Sequence, residues 1–354
     1  MYELIVLYTN YYFNFTVVVC SISINFTQRI EISLRGNQHL LGLTKLQNDI
    51  YILCQSFSSA PTVILIFEDQ HPFRLQKKIE IKEIKYPFDI GSSEKEHCLY
   101  ICDYRGKCVW KITRETDDQY RIIKWLTTNY KPRTLSVSSD GQLLMLNYLS
   151  YSLMIYGSDA ALIQSIPLPR DIACPRHAVE TTIGNFIIIY DEEKKNAVEM
   201  AMETAENEEH VEDKIDDDDD EEELMGEVKQ RECLLEKGGR RVSCGKRWKV
   251  VVSELSRVGQ IVVRRFIPSN EAHQLNLYGY LSLDSDDRVF VADKENARVI
   301  LLDSDLNLNR TLSPTSEGKN TRIRGPWRLC YDKDMKQLII GDFQGFQVYT
   351  LSRN

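Results

Sequence analysis

The chain has 354 residues, 43% of them hydrophobic, and a formal net charge of −8. That is ample for a sizeable core, and length alone allows one to three domains. Helical periodicity is scarce, whereas 17 Gly, 10 Pro and 18 Tyr suit a turn-rich β protein, so a helical architecture is excluded. The opening stretch, "MYELIVLYTNYYFNFTVVVC", is apolar but lacks Lys or Arg and carries Glu3, Asn10 and Asn14. It fits neither a signal peptide nor a membrane helix well, and residues 1–23 read as an N-terminal extension, with an extra strand, a signal or an anchor as its possible forms. Asn14, Asn25 and Asn309 begin Asn-x-Ser/Thr triplets, which matter only in a secreted chain.

Next comes an orphan strand, "FTQRIEISL" at 26–34, followed by a series of related units. Each unit opens with a stretch that often begins with Pro: "YPFDIGSS" at 86, "KPRTLSVSSDG" at 131, "CPRHAVETTIG" at 174 and "GPWRLCYDKD" at 325. "NLYGYLSLDSDD" at 276 fits the same slot with Leu277 in place of Pro, and "LGLTKLQND" at 41 is a worn copy. Pro87 to Pro132 is 45 residues and Pro132 to Pro175 is 43, while the span of 102 from Pro175 to Leu277 holds one unit plus an insertion.

Three units also share a hairpin phrase: "LYICDYRGKCVWKI", "VFVADKENARVILLD" and "LIIGDFQGFQVYTL". In them Asp103, Asp293 and Asp342 open the turn, Gly106, Asn296 and Gly345 follow three residues on, and Val109, Val299 and Val348 three further. The apolar, β-branched flanks and the Gly or Asn between them predict β-hairpins. An Asp at the turn entrance is expected to accept backbone N–H groups, a structural role that outweighs a shared metal site. Asn147, Tyr190 and Cys54 stand in its place in three other units.

The insertion explains the charge. Residues 191–237 hold 21 Asp or Glu against 6 Lys or Arg, a local −15, so the rest of the chain carries +7. With "DDDDDEEE" at 216–223 and no aromatic residue, residues 192–247 read as a disordered insertion. The nine cysteines include no Cys-x-x-Cys pair, so reduced core cysteines are expected, with a cross-strand Cys102–Cys108 bond as the lesser option.

A period near 45 with four short strands per unit predicts an all-β, six-bladed β-propeller of four-stranded antiparallel blades over 24–354. The last unit stops after its third strand, so the orphan N-terminal strand is expected to complete that blade and close the ring. The unit "VFVADKENARVILLD" resembles the NHL repeat found in the tripartite-motif family. That resemblance implies a six-bladed propeller that binds proteins, in some members single-stranded RNA. The RING domain that gives such proteins ubiquitin-ligase activity has no counterpart here, so any part in ubiquitylation would be as a substrate-recognition module.

In an up-and-down blade the loop between the second and third strands emerges on the same face as the loop to the next blade. The acidic insertion therefore shares a face with the Pro-led loops. The residues after each Pro slot, Phe88, Arg133, Arg176, Tyr278 and Trp327, are expected to ring the channel mouth there, with His177 and Arg328 beside them. Aromatic and Arg side chains are the types that dominate binding surfaces. Packing between blades is the competing reading for Phe88 and Trp327, and a hydrogen-bonded structural role for His177.

The expected activity is a non-catalytic scaffold, without cofactor or bound metal, that recognises a protein partner. RNA is the second candidate, with Arg133, Arg176, Arg328 and "GGRRVSCGKRWK" at 238–249 facing phosphates and the acidic tether competing for them. A third reading comes from six-bladed lactonases that hold calcium in the channel, for which Asp89, Glu180 and Asp284 would be the oxygen ligands. DNA binding is not expected, and the chain is expected to be a cytoplasmic monomer, membrane anchoring or secretion through the apolar start being the alternative.

Overall fold

The computed structural model describes residues 4–6, 17–19, 22–32, 38–56, 61–70, 72–116, 119–147, 150–169, 172–193, 248–266, 279–294, 296–312, 323, 325–342 and 345–353. A short ribbon pairs β1 (Leu4–Val6) with β2 (Val17–Val19), and β3 (Ile22–Glu31) follows. Blade 1 is β4 (Gln38–Leu46), β5 (Asp49–Ser56), β6 (Thr62–Glu68) and β7 (Arg74–Ile81). Blade 2 is β8 (Pro87–Ser93), β9 (Cys98–Asp103), β10 (Cys108–Arg114) and β11 (Tyr120–Thr127). Blade 3 is β12 (Leu135–Val137), β13 (Leu143–Asn147), β14 (Ser152–Tyr156) and β15 (Leu162–Pro167). Blade 4 is β16 (Ala173–Glu180), β17 (Phe186–Glu193), β18 (Trp248–Leu255) and β19 (Ile261–Phe266). Blade 5 is β20 (Leu281–Leu283), β21 (Val289–Asp293), β22 (Arg298–Leu302) and β23 (Leu308–Leu312). Blade 6 is β24 (Arg328–Asp332), β25 (Gln337–Asp342) and β26 (Gly345–Arg353), with β3 as its fourth strand.

The six-bladed propeller expected from the repeat is thus present, and the N-terminal strand closes it. β3 pairs with β26 from Gly345↔Glu31 to Arg353↔Ile22, beginning four residues before the span read from sequence. Gly345 is required at this seam, because a Cβ there would lie 2.0 Å from the Ile30 carbonyl oxygen. Arg29 on β3 donates to the Asp342 carboxylate on β25 at 2.9 Å, a charged tie between the first and last segments of the chain.

The middle strands are buried on both sides, which is why they read as continuous apolar runs. Along β9, Leu99 and Ile101 enter the core shared with blade 1, whereas Cys98, Tyr100 and Cys102 enter the core shared with blade 3. Along β21, Val289 and Val291 face blade 4, and Phe290 and Ala292 face blade 6. Six such interblade cores, one for each adjacent pair, hold the ring. Each fully buried Leu, Ile, Val or Phe in them contributes about 1.5–3 kcal/mol by removal from water.

The three expected hairpins are present. In blades 2 and 5, Asp103 pairs with Cys108 and Asp293 with Arg298, leaving four-residue loops. The left-handed residue is the last of each loop, Lys107 (φ 47°) and Ala297 (φ 50°), and not Gly106 or Asn296. Gly106 is set by space: a Cβ there would meet the Asp103 carboxyl at 2.7 Å. Asp103 accepts backbone N–H groups as expected, from Gly106 at 2.9 Å and Lys85 at 3.3 Å. Asp293 also binds side chains, accepting from Asn296 (2.8 Å) and Arg298 (2.7 Å), and Asp342 accepts from Arg29.

The same register separates Cys102 from Cys108, since Cys102 pairs with Val109, and both thiols are free. A four-residue loop puts the hairpin axis between Arg105 and Gly106, which sets the two cysteines one residue out of register. Most of the acidic insertion, 194–247, lies outside the described residues, but its attachment is fixed, because Glu193 on β17 pairs with Trp248 on β18. It leaves blade 4 between the second and third strands, on the face that also carries the connections between blades. That face is called the insertion face below.

Candidate functional site

The inner strands bring one position of every blade to the insertion-face mouth of the channel. Strand register identifies it as the residue opposite the one before the turn position: Gly42 opposite Leu53, Asp89 opposite Cys102, His177 opposite Ile189 and Arg328 opposite Gly341. Thr134 takes the place in blade 3, one step before Leu135↔Met145, and Tyr280 in blade 5, where its carbonyl accepts the Ala292 N–H at 2.9 Å. Tyr280 was missed from sequence. Placing the fifth slot at Leu277 puts Gly279 at this position, whereas the register puts the slot at Tyr278, a residue outside the described set.

The strand geometry also sorts the neighbouring side chains. Blades 1, 2 and 4 carry a register shift directly after the slot, at Leu40/Gly42, Pro87/Asp89 and Pro175/His177. Such a bulge takes its extra residue out of the ladder and re-aims it. Phe88 and Arg176 are those extra residues, and they, Arg133 and Trp327 are half-buried at the rim. Asp89, His177, Tyr280 and Arg328 are buried in the mouth itself.

Those four side chains form one network. Arg328 Nε donates to Asp89 Oδ1 at 3.1 Å, Nη1 to the Trp327 carbonyl at 3.1 Å and Nη2 to the Phe88 carbonyl at 3.0 Å. The pair joins blade 6 to blade 2 past blade 1, whose own residue at this position is Gly42, where a Cβ would meet Ile90 at 2.6 Å. Asp89 also accepts the N–H groups of Ile90 (3.0 Å) and Leu135 (3.2 Å). Burial pushes its carboxyl above the ordinary range, against the opposing pull of the Arg328 guanidinium. Arg328 lies 4.8 Å from the centroid of the Tyr280 ring, which stacks on His177 at 3.9 Å.

The hydrogen bonds fix the histidine's tautomer. His177 Nδ1 accepts the Leu281 N–H at 3.2 Å, so Nε2 carries the proton and faces the Leu135 carbonyl at 3.4 Å. Burial, assisted by Arg328, lowers its pKa to about 3, so the ring is neutral at physiological pH with both nitrogens engaged. Burial together with the nearby Asp89 charge holds the Tyr280 hydroxyl well above its ordinary range. Thr134 Oγ1 donates to the Arg176 carbonyl at 2.6 Å, carrying the ring on between blades 3 and 4.

The three carboxylates that a calcium site would need are each committed to an arginine. Asp89 meets Arg328, Glu180 meets Arg257 at 2.6 Å, and Asp284 meets Arg288 at 2.6 Å while accepting the N–H groups of Asp286 and Arg288. Among the described residues, no group of three or more His, Cys, Asp or Glu side chains is arranged to hold a metal ion. Burial raises the Cys54 and Cys330 thiols to about 12, and the Cys102 thiol well above its ordinary value, which suppresses their nucleophilic forms. No helix among the described residues is long and apolar enough to cross a membrane.

The rim is basic and aromatic. Arg105 lies 4.3 Å from the Tyr86 ring centroid and donates to its hydroxyl at 3.1 Å. Lys131 and Arg133 lie 5.3 and 5.4 Å from the Tyr104 centroid, and Arg133 reaches the Tyr104 hydroxyl at 3.3 Å. Lys294 lies 4.6 Å from the Trp327 centroid. Of these residues the sequence singled out Arg133 and Trp327. Tyr86 and Lys131 stand directly before Pro87 and Pro132, on the other side of the Pro from the expected ring, and Tyr104, Arg105 and Lys294 lie in the β9–β10 and β21–β22 turns, outside the Pro-led stretches.

No protein-family model matches the sequence, and no curated protein matches it. Solved structures do match in fold. Hydrazine synthase from Kuenenia stuttgartiensis is similar over 92% of this chain and 98% of that one, with a TM-score of 0.54 and 11% identity. A streptogramin B lyase covers 94% and 98% with a TM-score of 0.51 and 10% identity. A putative gluconolactonase covers 94% and 93%, also with a TM-score of 0.51 and 10% identity. At such identities the likeness establishes the propeller fold and carries no chemistry across.

Proposed function

We propose that this chain is a non-catalytic binding module, related in design to the NHL-repeat propellers, and that a protein partner docks on its insertion face. One observation carries the reading: the polar groups at that mouth are spent on each other. Asp89 is engaged at both oxygens, by Arg328 and two backbone N–H groups, and both nitrogens of His177 are bonded. A general base or a calcium ligand needs a lone pair that can be turned to substrate or metal. What the face offers outward is the rim of Phe88, Arg133, Arg176 and Trp327.

The test uses the full chain with a photo-crosslinking residue at Trp327 or Arg133 on the insertion face, or at Met335 on the opposite face. Adducts with one partner protein from the first two positions, and none from the third, support the reading. Adducts confined to Met335 overturn it. So does hydrolysis of gluconolactone by the purified chain with added calcium, if that activity disappears in Asp89→Asn.

A further inference from the structure

The insertion-face rim is chemically uneven, and its strongest feature lies between blades 2 and 3. The β9–β10 turn and the two flanking connections meet there. The Tyr104 N–H donates to the Tyr86 carbonyl, and the Thr128 N–H to the Lys107 carbonyl, both at 2.8 Å, so three separate segments are tied into one surface. Beneath them, buried Asp103 holds the Gly106 and Lys85 N–H groups. Five cations rise from this base: Lys85, Arg105, Lys107, Lys131 and Arg133. The acidic residues in the same segments are Asp103, which is 2% exposed, and Glu83.

We infer that this surface is a docking site for an acidic protein segment, one presenting consecutive carboxylates or phosphorylated side chains. The inference rests on the binding reading above and names its partner chemistry. Three guanidinium or ammonium groups are held in place by Tyr86 and Tyr104, so less side-chain freedom is lost when an anion binds. Guanidinium forks fit carboxylates and phosphates in two-point contacts.

The same geometry argues against single-stranded RNA. Sequence-tolerant RNA binding needs open aromatic faces on which bases stack. Here the Tyr104 ring is 7% exposed, packed 5.8 Å from Phe88 and covered by Lys131 and Arg133, and the Tyr86 ring is covered by Arg105. The surface therefore presents positive charge and withholds its rings.

Fluorescence anisotropy of the full chain with a labelled decaglutamate peptide, at 50 and 200 mM salt, tests this. Binding should weaken by about tenfold or more in Arg105→Glu/Lys131→Glu/Arg133→Glu, as expected when a central cation cluster is reversed. Binding should stay within about twofold in Lys333→Glu, an exposed cation in the β24–β25 turn on the opposite face, and should fall with salt because exposed charges are screened within about 10 Å at 0.1 M. If the triple variant does not fold, Lys131→Glu against Lys131→Arg gives the same reading, with loss expected only in the first. Equal binding by wild type and the charge-reversed variant overturns the inference. So does tighter binding of decauridylate than of decaglutamate at the same site. Partner crosslinks at Trp327 that persist while decaglutamate fails to bind would sink this inference and leave the broader reading standing. Lactone hydrolysis would sink the broader reading instead.

Discussion

At the insertion-face mouth one carboxylate, Asp89, meets one guanidinium, Arg328, whereas at the opposite mouth one ammonium, Lys45, lies between two carboxylates, Asp69 and Asp332. The first pair reaches across the channel between blades 2 and 6. The second group joins neighbouring blades 1 and 6, with Lys45 and Asp69 on the blade 1 side and Asp332 on blade 6. The first is sealed by neutral rings, Tyr280 and His177, and its charges cancel. In the second, two carboxylates share one ammonium: burial pushes the Asp69 carboxyl up, and the Lys45 pKa is raised by its two acceptors although burial alone would lower it. A buried ion pair adds little by its own attraction, but removing one partner is costly, so both devices act more as locks on blade register than as sources of stability.

The largest expected effect comes from breaking the neutral mouth. Arg328→Ala leaves Asp89 buried without its counter-ion and should destabilise the chain by about 3–5 kcal/mol in urea unfolding, whereas Arg328→Met with Asp89→Leu should recover most of that loss. Near-equal losses in the single and double variants would show that the pair is not a unit.

The two mouths should also separate by pH. His177 titrates near 3 in the folded chain and near 6.5 when unfolded, so the unfolded chain binds the extra proton first. Its contribution is complete above about pH 6.5 and falls by roughly 1–1.5 kcal/mol per pH unit below that, down to about pH 3. His177→Gln should remove this component of the acid slope. An unchanged slope would place the acid sensitivity elsewhere, including the opposite mouth.

Lys45→Met removes the ammonium between Asp69 and Asp332, while Asp332 Oδ1 keeps the Asp334 and Met335 N–H groups, and should cost about 1–3 kcal/mol. A larger loss than in Arg328→Ala would reverse the ranking of the two mouths. Smallest of all is the rim: Lys131→Glu should change stability by no more than about 0.5 kcal/mol, because its partner is a ring and not a buried charge, while still weakening decaglutamate binding. A large stability loss there would mean that the rim, like the mouths, is built for structure.

Much of the architecture was legible because it is periodic. The Pro-led slots, the Asp at the turn entrance in units 2, 5 and 6, and the missing fourth strand of the last unit specified blade number, strand order and closure. Each is a local pattern repeated at fixed spacing, and strand alternation converts spacing into faces. The same logic put the acidic insertion on its face from strand count alone. Where one residue of spacing decided the answer, sequence failed: Leu277 took a slot that the register gives to Tyr278. Cys102 and Cys108 are free and buried, as the reduced-core reading expected, and the lesser option of a bond between them falls because Val109 faces Cys102.

The mouth network could not be read at all from spacing. Asp89 and Arg328 are 239 residues apart, and nothing local to either marks the other. Composition and periodicity determined that there would be a ring of six blades and which residues would open the inner strands of blades 2, 3, 4 and 6. Only closure of the ring decided that the carboxylate of blade 2 and the guanidinium of blade 6 would neutralise each other past blade 1. The pairing depends on distances across the channel, and those exist only once every blade has taken its place.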